Sequence, residues 1–158
     1  MSEDNIYRAP ESNLGVENID ELNYAGFWIR VVASLIDTVL ILLLTWPILT
    51  LIYGKAYWLS ESFIQGTWDF VFSYIIPAVI VILFWIYKSA TPGKMILGLR
   101  VISLGENRAL SVGQSIGRYC GYYVSMIPLL IGIIWVAFDK RKQGWHDKLS
   151  NTAVVKIK

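Results

Sequence analysis

Three long apolar stretches alternate with polar stretches along the chain. They cover residues 27–52, 70–87 and 112–138. A helix rises about 1.5 Å per residue, so about 20 apolar residues cross a hydrocarbon core of about 30 Å. The pattern predicts an all-α membrane protein, a bundle of three apolar segments in a membrane domain over residues 24–158. The polar, acidic residues 1–23 are expected to form a flexible tail.

The third apolar segment is open to two interpretations. It is either a plain third span or a segment broken at Pro128 that re-enters on the side from which it came. Residues 99–103 and 152–157 alternate like short strands. They can pair only if both lie on one side of the membrane, which favours the broken, re-entrant segment and predicts a small β element.

The start of the third segment carries two packing signals. Ser111 is suited to cap a helix that begins near Val112. Small residues then recur at every fourth position, which places them on one helical face, as is typical of packed membrane helices: Gly113, Gly117 and Gly121. This face is a candidate for helix packing, including packing between copies of the chain.

Composition supports the membrane interpretation. Hydrophobic residues make up 55% of the 158 residues and charged residues only 16%, whereas soluble domains carry about 25% charged residues. Seven Trp, nine Tyr and six Phe suit a protein with two membrane–water interfaces. One cysteine and one histidine exclude an internal disulfide and a histidine-based metal cluster. We therefore expect no metal site and no cofactor.

Basic residues predict the orientation in the membrane. Residues 88–118 contain five basic residues and one acidic residue, whereas the loop at 53–69 contains Lys55 alone among basic residues. Loops rich in Lys and Arg stay in the cytoplasm. We expect an integral protein of the bacterial inner membrane, with its N-terminus and its small β element in the cytoplasm. The side of the C-terminus depends on how the third segment runs.

Two charged residues stand within the first apolar segment. Arg30 and Asp37 each cost about 2.5–3.5 kcal/mol near a bilayer centre, and their spacing places both on one helical face. Arg30 can act as an interfacial anchor. Asp37 either fixes helix packing, paired with Arg30 or another basic residue, or binds a cation or proton. Three hydroxyl side chains share this face: Ser34, Thr38 and Thr45.

Several motifs together resemble the RDD family of small integral membrane proteins. They are FWIR at 27–30, LID at 35–37, TPGKMILGLRV at 91–101, GR at 117–118, QGWHDKL at 143–149 and TAVV at 152–155. The resemblance implies that Arg30 and Asp37 are the family arginine and first aspartate. It implies Asp147 as the second aspartate, with Asp139 a weaker match. Trp145 stands where the family often has an aliphatic residue.

The resemblance implies a multi-spanning membrane protein, with suggestions of cation/proton exchange. We expect Asp147 to pair with a neighbouring basic residue such as Arg100 or Lys148. No nucleophile with a positioned base is recognisable, so the sequence predicts no enzyme, and the basic loops lack the features of a nucleic-acid-binding module.

Two hypotheses of function follow. One is a small-cation transporter that uses Arg30, Asp37 and Asp147, and the other is a non-transporting scaffold or assembly factor in which the same charges are structural. Three apolar segments are too few to enclose a transport pathway within one copy of the chain. We therefore expect further copies of the chain or another membrane protein as partners, besides the lipid bilayer and a small cation.

Overall fold

The computed structural model describes residues 22–105 and 110–157, without the side chain of Ala56. The predicted tail therefore lies outside the described residues up to residue 21. Its last residue, Asn23, accepts a hydrogen bond at its carbonyl from the backbone N–H of Lys156 (2.8 Å). The backbone at Asn23 is thus hydrogen-bonded to a residue close to the last one described.

Within residues 22–105 and 110–157, two helical stretches are long and apolar enough to cross a membrane. Helix α1 spans Phe27–Tyr53 and runs through Pro47. The second stretch, Thr67–Lys88, consists of α3 (Thr67–Phe70), a π-helical turn (Val71–Ile75) and α4 (Ile76–Lys88). These two candidate spans cover the apolar segments predicted at 27–52 and 70–87 to within a few residues.

The π-helical turn has a cause in the sequence. Pro77 lies at the start of α4, where it lacks an N–H and its ring crowds the carbonyl four residues earlier. A single wide turn before a proline relieves that crowding while the helix continues. Pro77 is thereby accommodated inside an apolar helix.

The connection between these helices is closed by a buried carboxylate. Helix α2 covers Ala56–Leu59, and Asp69 of α3 is 3% exposed. Its oxygens accept hydrogen bonds from the hydroxyls of Tyr57 and Ser73 and from the backbone N–H of Gln65. Burial and the Asp69 carboxylate raise the pKa of Tyr57, which therefore stays a hydrogen-bond donor.

The third apolar segment is broken, as the proline predicted. Helices α6 (Val112–Met126) and α7 (Ile131–Phe138) are bent by 99° relative to one another. Leu129 and Leu130 at the break have positive φ angles of 51° and 65°. The predicted cap is confirmed, because the Ser111 hydroxyl accepts from the backbone N–H of Gln114 in a capping box.

A two-stranded antiparallel sheet joins the ends of the membrane segments, and the predicted β element is confirmed. Strand β1 (Leu99–Ser103) pairs with β2 (Thr152–Lys156), and Val101 lies opposite Val154. Tyr24 forms a bridge to β2, next to the start of α1. Paired strands lie on one side of any membrane that α1 and α4 cross. This favours a re-entrant α6–α7 segment over a plain third span.

Two short helices complete the end of the molecule that carries the sheet. They are α5 (Pro92–Ile96) and α8 (Trp145–Leu149). A small core lies beneath them, formed by buried residues of the sheet and of the helices that lead into it: Ala25, Ala33, Trp85, Leu99, Val101, Leu110 and Val154. Large apolar side chains of α1 are exposed on the outside, including Leu51 at 86%, as expected of a surface that faces lipid.

Candidate functional site

A fully buried carboxylate lies at the end of the molecule that carries the sheet. Asp147 of α8 is 0% exposed. Its Oδ2 lies 2.6 Å from Nη1 of Arg30 and accepts a second hydrogen bond from the Gly144 N–H (3.0 Å). Its Oδ1 lies 2.5 Å from Nη1 of Arg118. These residues, together with His146, are called the Asp147 cluster below.

Arg30 ties the first span to the end of the chain. Besides its bond to Asp147, its Nε donates to the carbonyl of Ala25 (3.0 Å) and its Nη2 to the carbonyl of Lys142 (2.5 Å). The side chain is therefore bonded along its whole guanidinium and is 8% exposed. An interfacial anchor would instead reach water, so Arg30 is a structural cross-link between α1 and the region around α8.

Arg118 of α6 approaches Asp147 from the other side. Its guanidinium is 0% exposed and donates a hydrogen bond from Nη1 to the Thr152 hydroxyl (2.7 Å). Among the described residues, its Nε and Nη2 have no hydrogen-bond partner. Its positive charge lies 5.3 Å from the ring centre of Trp85 and 5.8 Å from that of Tyr122. Ring faces stabilise a desolvated cation.

Electrostatics keep Asp147 ionised and His146 neutral. Burial alone would raise the pKa of Asp147, but the charges of Arg118 and Arg30 outweigh it and hold that pKa well below its ordinary value. Burial, helped by the same arginines, lowers the pKa of His146 to about 3 against the opposing effect of Asp147. The imidazole stacks on Tyr122, with ring centres 3.9 Å apart. It acts as a flat, uncharged packing group.

Asp37 lies apart from this cluster and does not pair with Arg30. Its Oδ2 accepts a hydrogen bond from the Thr91 hydroxyl (2.5 Å) and its Oδ1 accepts from the Gly93 N–H (2.6 Å). It thus binds the first turn of α5. Gly93 is required here, because a Cβ at this position would collide with the carbonyl of Ala33 and lie 3.0 Å from Asp37 Cγ.

Asp37 also lines a cavity of about 320 Å³ between α1, α4 and α6, called the Asp37 cavity below. Ser34, Thr38 and Lys94 line it as well, beside three tyrosines of α6. A second cavity of about 260 Å³, lined by Arg30 and His146, shares Ser34 and Thr38 with it. The polar face of α1 thus opens onto cavities, except for Thr45, which is buried and donates to the Ile41 carbonyl.

The remaining sequence candidates have other environments. Asp139 is bound to Lys148 (2.5 Å) and accepts from the backbone N–H of Arg141 and of Gln143. Despite partial burial, the bond to Lys148 helps to lower the pKa of Asp139. The expectation that Asp147 pairs with Arg100 or Lys148 is wrong, since Lys148 is bound to Asp139 and the exposed Arg100 lies on β1.

The three glycines on one face of α6 have two kinds of environment. A Cβ on Gly121 would lie 2.9 Å from the Cα of His146, so α8 packs directly against α6 at this point. Nothing lies within 4 Å of a Cβ on Gly117, and for Gly113 the nearest atom is the Ser111 hydroxyl at 4.0 Å. Gly121 therefore packs inside the molecule, while Gly113 and Gly117 lie on its exposed surface.

Sequence reasoning missed the burial of Arg118 and Lys94. Both were counted as positive charges of a polar loop. Each follows a glycine within a motif of the family resemblance, but the spacing of a motif does not predict that its basic side chain is buried. Within the described residues, no group of three or more His, Cys, Asp or Glu side chains is arranged to hold a metal ion.

Comparison with known proteins decides the family. The model of the RDD family matches residues 24–151. The chain belongs to the RDD family. It is 35% identical over 147 residues to the uncharacterized protein YxaI of Bacillus subtilis, covering 83% of this chain and 96% of the relative. It is 34% identical over 139 residues to the uncharacterized membrane protein YteJ of the same organism, covering 84% and 80%. No solved structure matches.

Family membership agrees with the fold and leaves the activity to be inferred from the site. The residues matched by the RDD model include Asp37 and the whole Asp147 cluster. The chain is a membrane protein of this family with apolar helices that are long enough to cross a bilayer.

Proposed function

We propose that this RDD protein exchanges a small cation for protons across the bacterial inner membrane, and that Asp37 binds the cation or the proton. The observation that supports this is that no basic side chain among the described residues is paired with Asp37. Among the residues that the structure describes, its carboxylate has hydrogen bonds only to a hydroxyl and a backbone amide and no ion pair. It lines a cavity within a candidate span.

A carboxylate in this setting suits reversible ion binding. Each oxygen of Asp37 accepts one described hydrogen bond, and a carboxylate oxygen can accept more than one. The hydroxyls of Ser34 and Thr38 line the same cavity and offer further oxygen ligands to a cation. Intramembrane carboxylates that face a cavity are typical of ion and proton pathways. Neutralisation by a cation or by a proton would be mutually exclusive, which is the basis of exchange.

In this proposal the Asp147 cluster holds the site and does not carry the ion. Asp147 is already neutralised by two arginines, so it attracts no further cation. The cluster joins α1, α6 and α8, and α1 carries Asp37. In this proposal the N-terminus, the sheet and the C-terminal strand lie in the cytoplasm. The basic residues of the segments that precede the two strands along the chain support this orientation, among them Lys88, Lys140 and Arg141.

Transport requires more wall than one copy supplies. Two to three candidate crossings among the described residues leave much of the cavity wall open. The transporting unit in this proposal is therefore a homo-oligomer, whose copies pack through the exposed surface at Gly113 and Gly117. The mass of the detergent-solubilised complex, measured by light scattering with detergent subtracted, tests this. A monomer at all protein concentrations would contradict it.

A membrane scaffold is the second candidate function. The observation that favours it is the Asp147 cluster, in which Arg30 is bound to Asp147 and Lys142 and Arg118 lies against Asp147, so that distant parts of the chain are joined. A protein built for assembly needs such rigid cross-links and no titratable site. In that case Asp37 serves only to bind α5 to α1.

Ion flux separates the two candidates. Purified protein is reconstituted in phosphatidylcholine vesicles with a pH-sensitive dye inside, a pH gradient is imposed, and Na⁺, K⁺ or Li⁺ is added. Asp37→Asn is compared with wild type. Asp139→Asn is the matched control, because it removes a carboxylate outside the cavity. Unfolding midpoints confirm that all three proteins are folded.

Cation-dependent proton movement that is present in wild type and Asp139→Asn and absent in Asp37→Asn is the expected result. Absence of movement in a folded wild type would refute the transporter and leave the scaffold. Equal movement in Asp37→Asn would refute the assignment of Asp37.

A further inference from the structure

Two opposite charges face one cavity without binding each other. Asp37 and Lys94 both line the Asp37 cavity. Lys94 is only 4% exposed. Among the described residues, the contact found for its ammonium group is with the face of Trp85, 5.7 Å from the ring centre, and no ion pair joins it to Asp37. A buried cation and a carboxylate in one cavity usually pair. Here each is left available to a ligand.

The cavity continues into an apolar groove along the membrane helices. A third cavity of about 160 Å³ lies between α1 and α4 and shares Asp37, Ile41, Val81 and Thr91 with the Asp37 cavity. Its other lining residues are apolar, among them Leu44 and Phe84. A ligand that filled both cavities would have a polar end beside Asp37 and Lys94 and an apolar end between α1 and α4.

We propose that this groove binds a phospholipid with a primary amine in its headgroup, with the phosphate on Lys94, the ammonium on Asp37 and an acyl chain along Ile41 and Leu44. The inference rests on Asp37 as the cation-binding group of the proposed function. It adds that an ammonium on a lipid can occupy the same carboxylate.

Charge complementarity selects this class of lipid. A purely anionic headgroup satisfies Lys94 but places its charge beside Asp37. A quaternary ammonium matches the charge of Asp37 but has no N–H to donate to it. A primary ammonium and a phosphate joined by a short link satisfy both side chains. A small metal ion can neutralise Asp37 but offers Lys94 no partner, so it occupies only part of the site.

Lipid retention in native mass spectrometry tests the proposal. Delipidated protein in detergent is titrated with phosphatidylethanolamine, phosphatidylcholine or phosphatidylglycerol of identical chains. Free phosphoethanolamine is a fourth probe, which separates recognition of the headgroup alone from recognition of the whole lipid. Variants Asp37→Asn and Lys94→Gln are compared with Asp139→Asn and Lys88→Gln, which remove the same charges outside the cavity.

Phosphatidylethanolamine is expected to bind about tenfold more tightly than phosphatidylglycerol, since one charge-assisted hydrogen bond is worth about that factor. Lys94→Gln and Asp37→Asn each lower this affinity about tenfold, and the two control variants do not. Free phosphoethanolamine binds much more weakly than the lipid. Equal binding of the three lipids by wild type would overturn the proposal. Unchanged selectivity among the lipids in Asp37→Asn, or unchanged affinity in Lys94→Gln, would overturn it as well.

The lipid-binding experiment and the flux experiment test the two proposals independently. The flux measurement uses phosphatidylcholine vesicles, which contain no lipid with a primary amine, so it does not depend on binding of such a lipid. Selective lipid binding without flux would leave the groove as a lipid site on a scaffold. Flux without lipid selectivity would leave Asp37 as an ion site in a groove with no preferred lipid.

Discussion

Neutralising Asp147 is expected to destabilise the protein more than neutralising any other described carboxylate. In Asp147→Asn the side chain keeps its size, but Arg30 and Arg118, at 8% and 0% exposure, lose the charge that lies 2.6 and 2.5 Å away. Removing one partner of a buried ion pair costs about 3–5 kcal/mol. At about 2–4 °C per kcal/mol for a chain of this size, the unfolding midpoint should fall by roughly 6–20 °C.

The matched control is Asp139→Asn. Asp139 also contacts a cation at 2.5 Å, but its partner Lys148 has a side chain that is 45% exposed, and exposed ion pairs contribute about 0–1 kcal/mol. Thermal unfolding of both variants in the same detergent, followed by circular dichroism, measures the difference. Adding Arg30→Gln to Asp147→Asn should restore part of the loss, because it removes one of the two unpaired charges. Equal midpoints for the two single variants would refute the reasoning.

Three further results are expected. Because the folded pKa of His146 is about 3 and the unfolded pKa about 6.5, the unfolded state takes up a proton that the folded state does not between these values. Stability should therefore fall by about 2 kcal/mol from pH 7 to pH 5, a slope that His146→Phe should flatten and that equal slopes in both proteins would contradict. Gly121→Ala should cost about 1–3 kcal/mol through its collision with His146, whereas Gly117→Ala, with open space around the new methyl group, should be neutral or slightly stabilising; similar losses in both would show that the packing argument is wrong. Tyr57→Phe should cost about 1 kcal/mol by removing the hydrogen bond to the buried Asp69, measured as a shift in denaturant midpoint, and no shift would mean that Asp69 needs no donor there.

The elements of the fold could be predicted because the signals that determine them are local. Apolar length predicted α1 and the Thr67–Lys88 stretch, Pro128 predicted the break between α6 and α7, and Ser111 predicted its cap. The pairing of 99–103 with 152–157 was suggested by the strand-like pattern of both segments, and the structure pairs them over Leu99–Ser103 and Thr152–Lys156.

The charge pairing could not be predicted, because it depends on contacts far apart in sequence. Arg30 and Asp147 are separated by 117 positions, and nothing in their local sequence says that they meet. Arg118 looked like one of several loop cations, yet the bend of the chain buries it against Trp85. Asp37 and Arg30 share a helical face, which suggested a pair, but the first turn of α5 supplies the hydrogen bonds of Asp37 instead.

The central claim is that the two aspartates have different tasks: Asp147 holds the fold and Asp37 binds the ion. Equilibrium binding of radiolabelled sodium to purified protein in detergent tests this most directly, with wild type, Asp37→Asn and Asp139→Asn compared under the same conditions. The account predicts saturable binding by wild type and by Asp139→Asn, and loss of binding in an Asp37→Asn variant that is still folded. Undiminished binding in a folded Asp37→Asn variant, or no saturable binding by wild type, would contradict it.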